Sequence, residues 1–217
     1  MTKKKVLCIV SNLRTNNGVA SCMMNYLPFT VGEEFQIDFL CLDDTESDYI
    51  TYLKENGISY FVLPHGSDKK DSVNKKYVAD VIAQGKYDAV HVNIVYYWAF
   101  YALRCAKKSN IKCRILHAHN PRLMNSISNK RRTFLFTGLC NLYSTDYLAC
   151  TEAAGKSVFG SRNFTVIHNA IDAQKYLFDF QAREKYRKQY NLEGKFVLGT
   201  SCRHTEQKNP FFLVDIF

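Results

Sequence analysis

The 217-residue chain has no apolar run long enough to cross a bilayer: its longest apolar pieces, such as 6–10, are strand-sized, whereas a spanning helix needs about 20 residues. The basic start at 1–5 followed by 6–10 imitates a signal peptide. The stretch stops at Ser11-Asn12 with no further apolar region and no small-residue cleavage site, so the chain reads as cytoplasmic. Proline and glycine are scarce, at 4 and 10 residues, which excludes a collagen-like or linker composition. With 47% hydrophobic and 23% charged residues, disorder is excluded as well. The eight cysteines, at 8, 22, 41, 105, 113, 140, 150 and 202, include no CxxC pair. That removes a zinc or disulfide framework and predicts small buried thiols in a reducing compartment.

Acidic residues are missing from one long region. None occurs between Asp88 and Asp146, while Arg104, Lys107, Lys108, Lys112, Arg114, Arg122, Lys130, Arg131 and Arg132 all fall there. The formal charge of +9 is therefore uneven: residues 1–100 hold 10 Lys/Arg against 12 Asp/Glu, and 101–217 hold 19 against 8. A one-signed surface of this kind points to a polyanionic partner, either substrate phosphates or an anionic membrane face. Nucleic acid is disfavoured, because the aromatics sit in apolar runs and no recognised nucleic-acid motif is present.

What remains alternates strand-like and helix-like segments. Strands are predicted at 5–12, 35–42, 58–63, 87–92, 112–118, 147–150 and 164–167 from short β-branched runs bounded by turn residues. Helices are predicted between them at 18–27, 46–55, 71–83, 96–106, 132–143 and 152–159, with Thr151 capping the last. Leu135, Leu139 and Leu142 make one helical stripe expected to pack on the sheet. Phe134 and Phe136, off that stripe and beside Lys130-Arg131-Arg132, are expected at a lipid interface. The alternation implies an α/β class with a doubly wound parallel sheet covered on both faces. A charged helix at 181–190 follows, then a strand at 195–201 and a piece from 210 that reads as the first βα unit of a second sheet. The expected division is 1–172, a linker at 173–194, and 195–217, and the chain is expected to stop inside a domain, since one βα unit cannot bury its own faces.

In open parallel sheets ligands bind beyond the carboxyl ends of the strands. After the first strand, the polar loop 12–17 leads to Gly18 at a helix start, a place suited to an anion. The loop is not GxGxxG, and the missing fingerprint argues against a nicotinamide dinucleotide. The fifth strand ends His117-Ala118-His119-Asn120-Pro121, with both histidines on one face. No third ligand is evident, so a metal site is not expected. Asn169 follows the seventh strand. Arg203 and Lys208, five residues apart in a loop opening a helix, suit a diphosphate.

Taken in order, NNG after the first strand, ILHAHNP, YLACTEAAGKSVFG, VIHNAID followed by KY, and VLGTSCRHTEQKNPFFLVDIF resemble the GT-B glycosyltransferases of family 4, especially those building capsular and exopolysaccharides. The resemblance implies two Rossmann-like domains facing a cleft, a nucleotide-sugar donor that is UDP-linked, retention of anomeric configuration, and no metal or other cofactor. It implies a glycan or lipid-linked acceptor and peripheral contact with an anionic membrane. Residue by residue, it gives His119 the contact with the transferred sugar as the catalytic position, and Gly18, Arg203 and Lys208 the donor phosphates. Asn17, His117, Asn120 and Asn169 would contact acceptor or sugar. The family's Gly-Gly is here Asn17-Gly18, its NGID is Asn169-Ala170-Ile171-Asp172, and no two glutamates stand eight apart, the spacing of the family's donor-binding pair. The resemblance implies an enzyme of which this piece alone would be inactive; the alternatives are a non-catalytic acceptor- or membrane-binding module and a nucleotide-sugar epimerase.

Overall fold

The computed structural model describes residues 3–32, 34–43, 46–94, 97–120, 127–202 and 208–216, with the backbone alone at 127–134. It divides into two compact units, Met1–Ile171 and Asp172–Phe217. The first holds seven parallel strands, β1 (Lys4–Val10), β2 (Phe35–Cys41), β3 (Tyr60–Val62), β4 (Ala89–Val92), β5 (Cys113–Ala118), β6 (Asp146–Ala149) and β7 (Thr165–Val166), in the order β3-β2-β1-β4-β5-β6-β7. The expected doubly wound sheet is present, and the strand order reverses between β1 and β4, where Val6–Ile9 pairs with Ala89–Val92.

Side-chain alternation splits each strand between two cores. Leu7 and Ile9 of β1 and Leu40 of β2 join Val90, Val92, Leu116 and Ala118 in the core under α3 (Ser72–Gln84), α4 (Tyr97–Lys108), α5 (Ile127–Tyr143) and α6 (Glu152–Phe159). Cys8, Val10, Phe39 and Cys41 face the other way, against α1 (Gly18–Thr30) and α2 (Asp48–Glu55). All eight cysteines are free thiols and six are buried. At the amino edge of the sheet the buried Asp38 carboxylate receives Lys5 Nζ at 3.1 Å and the Tyr87 hydroxyl at 3.0 Å, so that edge is closed by a paired charge.

Three expectations are corrected. Helix α1 does not end before Pro28 but runs to Thr30: the Val31 N–H donates to Leu27 O, and the Thr30 hydroxyl bonds the Tyr26 and Leu27 carbonyls, so the last turn is closed despite the proline. The buried stripe of α5 is not Leu135/Leu139/Leu142. Leu135 and Leu142 are 58% and 67% exposed, whereas Phe136 and Tyr143 pack on the α4 aromatics Tyr97 and Phe100, beside the buried Cys140. The aromatic surface of α4 thus selects the helix phase, and Phe136 is not free for a lipid interface. Phe134 lies outside the described side chains.

The third correction falls in the second unit. Residues 195–201, expected as a strand, are not paired in any sheet, because among the described residues this unit offers no second strand to supply the ladder. The unit contains a 3-10 turn (Ala173–Tyr176), α7 (Phe180–Gln189) capped by Asp179, and α8 (Pro210–Ile216). None of its described residues is buried. Arg187 Nη1 donates to the Leu192 and Lys195 carbonyls and holds the loop after α7.

Candidate functional site

The first unit brings Asn17, Gly18, His117, His119, Asn120 and Asn169 to, or close beneath, the carboxyl edge of the sheet, on the loops after β1, β5 and β7. The β1 loop is built by side chains. Asn17 caps α1, accepting from Val19 N at 3.0 Å, while its amide nitrogen donates to Ser11 Oγ and Asn12 Oδ1, both at 3.1 Å. Ser47 Oγ donates to Leu13 O at 2.6 Å and ties the loop to the start of α2. Both ends of the Asn17 amide are thereby engaged, so its contribution is to hold the loop that presents Gly18. Gly18 is exposed, and a Cβ built there would meet nothing within 4 Å. The space beside Gly18 at the positive end of α1 is open, while the Val19 N–H is taken by the Asn17 cap.

At the other end of α1, Tyr26 donates to His168 O at 2.6 Å and Asn25 Nδ2 to Ala170 O at 2.7 Å, which fixes the loop carrying the exposed Asn169. Ala170 does not have a positive φ, so alanine is compatible with this turn.

The histidines form one stack. His117, 2% exposed, shares a hydrogen bond with His91 of β4, Nδ1 to Nε2 at 3.1 Å, and its ring centroid lies 4.0 Å from that of His119. His91 and His117 line a cavity of about 240 Å³ between α1 and the sheet, otherwise walled mainly by apolar side chains such as Met23, Leu27 and Phe39. His119, half-buried at the strand tip, bonds Asn93 Oδ1 through Nε2 at 2.9 Å, and Cys150 Sγ donates to its carbonyl at 3.0 Å. His117 Nε2 and His119 Nδ1 are buried with no hydrogen-bond partner among the described residues. Burial holds all three imidazoles below their ordinary range, His91 and His119 at about 4 and His117 lower still because both neighbours add to it. All three are therefore neutral near pH 7, and an imidazole in that state offers one N–H and one lone pair.

Asn93, 4% exposed at the tip of β4, was not legible as a site residue from the sequence. It sits at the point where the strand order reverses, and only strand order, which pattern alone does not give, would have marked it. Arg203 lies outside the described residues. Lys208 is an exposed residue of the second unit. Among the described residues, no group of three or more His, Cys, Asp or Glu is placed to hold a metal ion, and no helix is long and apolar enough to cross a membrane.

No family model and no curated protein sequence matches the chain. Solved structures do. HepE of Anabaena, solved with UDP and glucose, superposes with a TM-score of 0.70 at 19% identity, over 98% of this chain and 57% of that one. The fold is shared with GT-B sugar-nucleotide proteins. A glycosyltransferase of Rickettsia africae gives 0.56 at 13% identity, over 89% and 51%. The UDP-GlcNAc 2-epimerase of Methanocaldococcus jannaschii gives 0.52 at 15% identity, over 100% and 63%. The chain thus spans about half to three-fifths of the length of these proteins. At such identities the likeness is one of fold: a Rossmann-like α/β unit of the GT-B type.

Proposed function

We propose that the chain belongs to a retaining, metal-independent glycosyltransferase of the family 4 type, which moves a sugar from a UDP-linked donor to a glycan or lipid-linked acceptor in cell-surface polysaccharide synthesis. The observation that carries this reading is the placement of His119 at the β5 tip, on the same sheet edge as the open start of α1, in a fold shared with a protein solved with UDP and glucose. As the bond from sugar to diphosphate breaks, negative charge grows on the leaving phosphates. Fixed donors and cations stabilise that charge more than they stabilise the ground state. In this reading the amides at Gly18, with Arg203 and Lys208, supply that stabilisation, and His119 contacts the transferred sugar. Asn120 and Asn169, both exposed on this edge, contact sugar or acceptor, and Asn17 and His117 act from beneath them. In this reading the acid-free stretch 89–145 faces an anionic acceptor or the anionic inner leaflet, and the protein works in the cytoplasm.

An epimerase shares the fold, but removing and replacing a sugar C–H proton needs acid–base groups that titrate near neutrality. The three histidines at this edge are held neutral near pH 7 by burial. Transfer is therefore preferred. The test is transfer of radiolabelled sugar from a panel of UDP-sugars to a lipid-linked acceptor by the natural full-length protein. His119→Ala is expected to reduce transfer by ~10²-fold or more, the scale of one lost transition-state contact. Interconversion of the nucleotide sugars without transfer would select the epimerase, and donor binding without turnover would select the non-catalytic module.

A further inference from the structure

Asn93 has three hydrogen bonds that together determine which way its amide points. Its main-chain N–H donates to Ile9 O on β1 at 2.8 Å. Its side-chain nitrogen donates to His91 O at 3.2 Å, and its side-chain oxygen meets His119 Nε2 at 2.9 Å. A backbone carbonyl only accepts, so the amide end beside His91 O is the NH₂ group and the end beside His119 is the oxygen. An amide oxygen also only accepts. His119 Nε2 must therefore carry the hydrogen, which leaves the lone pair of the neutral ring on Nδ1. That atom is buried and has no protein donor among the described residues.

We propose that Asn93 is a positioning residue that holds His119 as its Nε2–H tautomer, so that Nδ1 is the hydrogen-bond acceptor for a hydroxyl of the transferred sugar. The second half rests on the glycosyltransferase reading; the tautomer lock does not. The assignment has a chemical consequence. A ring held this way accepts from the sugar and does not donate to it, so His119 orients a hydroxyl and does not protonate the leaving group. Asn93 suits this task because it is anchored twice, to β1 through its main chain and to its own strand, β4, through the His91 carbonyl. The ring of His117 packs beneath His119 and limits its rotation. Among the described residues the titratable groups facing His119 are His117 and His91, with Cys150 on its carbonyl.

The test is long-range ¹⁵N–¹H correlation of the histidine rings in the chain near neutral pH. The expected spectrum shows His119 as Nε2–H. In Asn93→Leu, of similar volume but without an acceptor, the ring is expected to populate both tautomers. In Asn93→Asp, whose carboxylate still accepts from Nε2, the Nε2–H form is expected to persist and to titrate at higher pH. A wild-type ring found as Nδ1–H, or an Asn93→Leu ring that stays purely Nε2–H, overturns the lock. Should Asn93→Leu fail to fold, the wild-type and Asn93→Asp spectra still decide. In the transfer assay Asn93→Leu is expected to lower kcat by ~10-fold or more with donor KM changed much less. A donor lacking the contacted hydroxyl should erase the difference between variant and wild type, and persistence of that difference with every deoxy-sugar donor overturns the acceptor role. Absence of any transfer by the wild type would remove the sugar role and leave the lock to be judged by the spectra.

Discussion

His117, on β5, and His119, one residue beyond its end, stand two apart and were expected on one face; their rings do lie together, 4.0 Å between centroids. What the sequence did not show is the third ring, His91, because the pairing of β4 with β5 is a tertiary fact. Asn93 was hidden in the same way, inside a run that reads as apolar (AVHVNIV). The stack has a thermodynamic signature. An unfolded histidine binds its proton near pH 6.5, while in the folded protein His91 and His119 do so only at about 4, and His117 lower still. Between those values the unfolded chain holds more protons, so stability is full above pH 6.5 and is lost as pH falls, by up to about 1.4 kcal/mol per pH unit for each ring. The half-buried Asp71 and the exposed Asp88, whose carboxyls are held below their ordinary range by hydrogen bonds from His65 and from Lys5 N–H, add the same sign only in stronger acid. The urea midpoint is therefore expected to drop between pH 7 and pH 5, and to drop less in His117→Asn. A midpoint that is level or rising toward pH 5 would contradict neutral burial of the stack.

Seven strands and the helices between them were readable because each is short, apolar and ended by its own turn chemistry; Thr151 caps α6, accepting from Ala154 N at 3.1 Å, and Gly57 takes φ +64° after α2. Helix phase and strand pairing were less readable, since both depend on the partner. The aromatic surface of α4 set the phase of α5, and 195–201 has β-strand composition with no ladder to join. Gly155, inside α6, shows how a helix position can be decided by packing. A Cβ there would come within 2.2–2.6 Å of the Phe164 ring, which itself packs on Phe159. Alanine normally favours a helix over glycine by about 1 kcal/mol, yet Gly155→Ala is expected to destabilise by about 1–3 kcal/mol through the clash. Phe164→Leu should cost stability alone but recover part of the loss when combined. A double-mutant cycle by chemical denaturation measures this coupling, and strict additivity would mean that Phe164 does not oppose a side chain at 155.

Across the whole molecule, the charge division was read directly from the sequence, but its use was not. The acid-free stretch includes Lys130, Arg131 and Arg132, whose side chains lie outside the described set, and the neighbouring Phe136 is packed on α4 and withdrawn from any membrane contact. The protein is expected to co-sediment with vesicles rich in anionic lipid and not with neutral ones, each basic residue adding about 1 kcal/mol. Reversal of these three residues to Glu should abolish the binding while leaving the circular dichroism unchanged. Binding that ignores lipid charge, or that is absent at low salt, would assign the cations to substrate phosphates or solvent. The fold was legible in class and order, because element alternation dictates a parallel sheet. The central claim concerns chemistry at its carboxyl edge, and the stereochemistry of transfer tests it most directly. With an α-linked UDP-sugar and the full-length protein, ¹H NMR of the first-formed product should show the sugar in the α configuration on the acceptor. A β-linked product, or free sugar and altered nucleotide sugar with no acceptor modified, would contradict it.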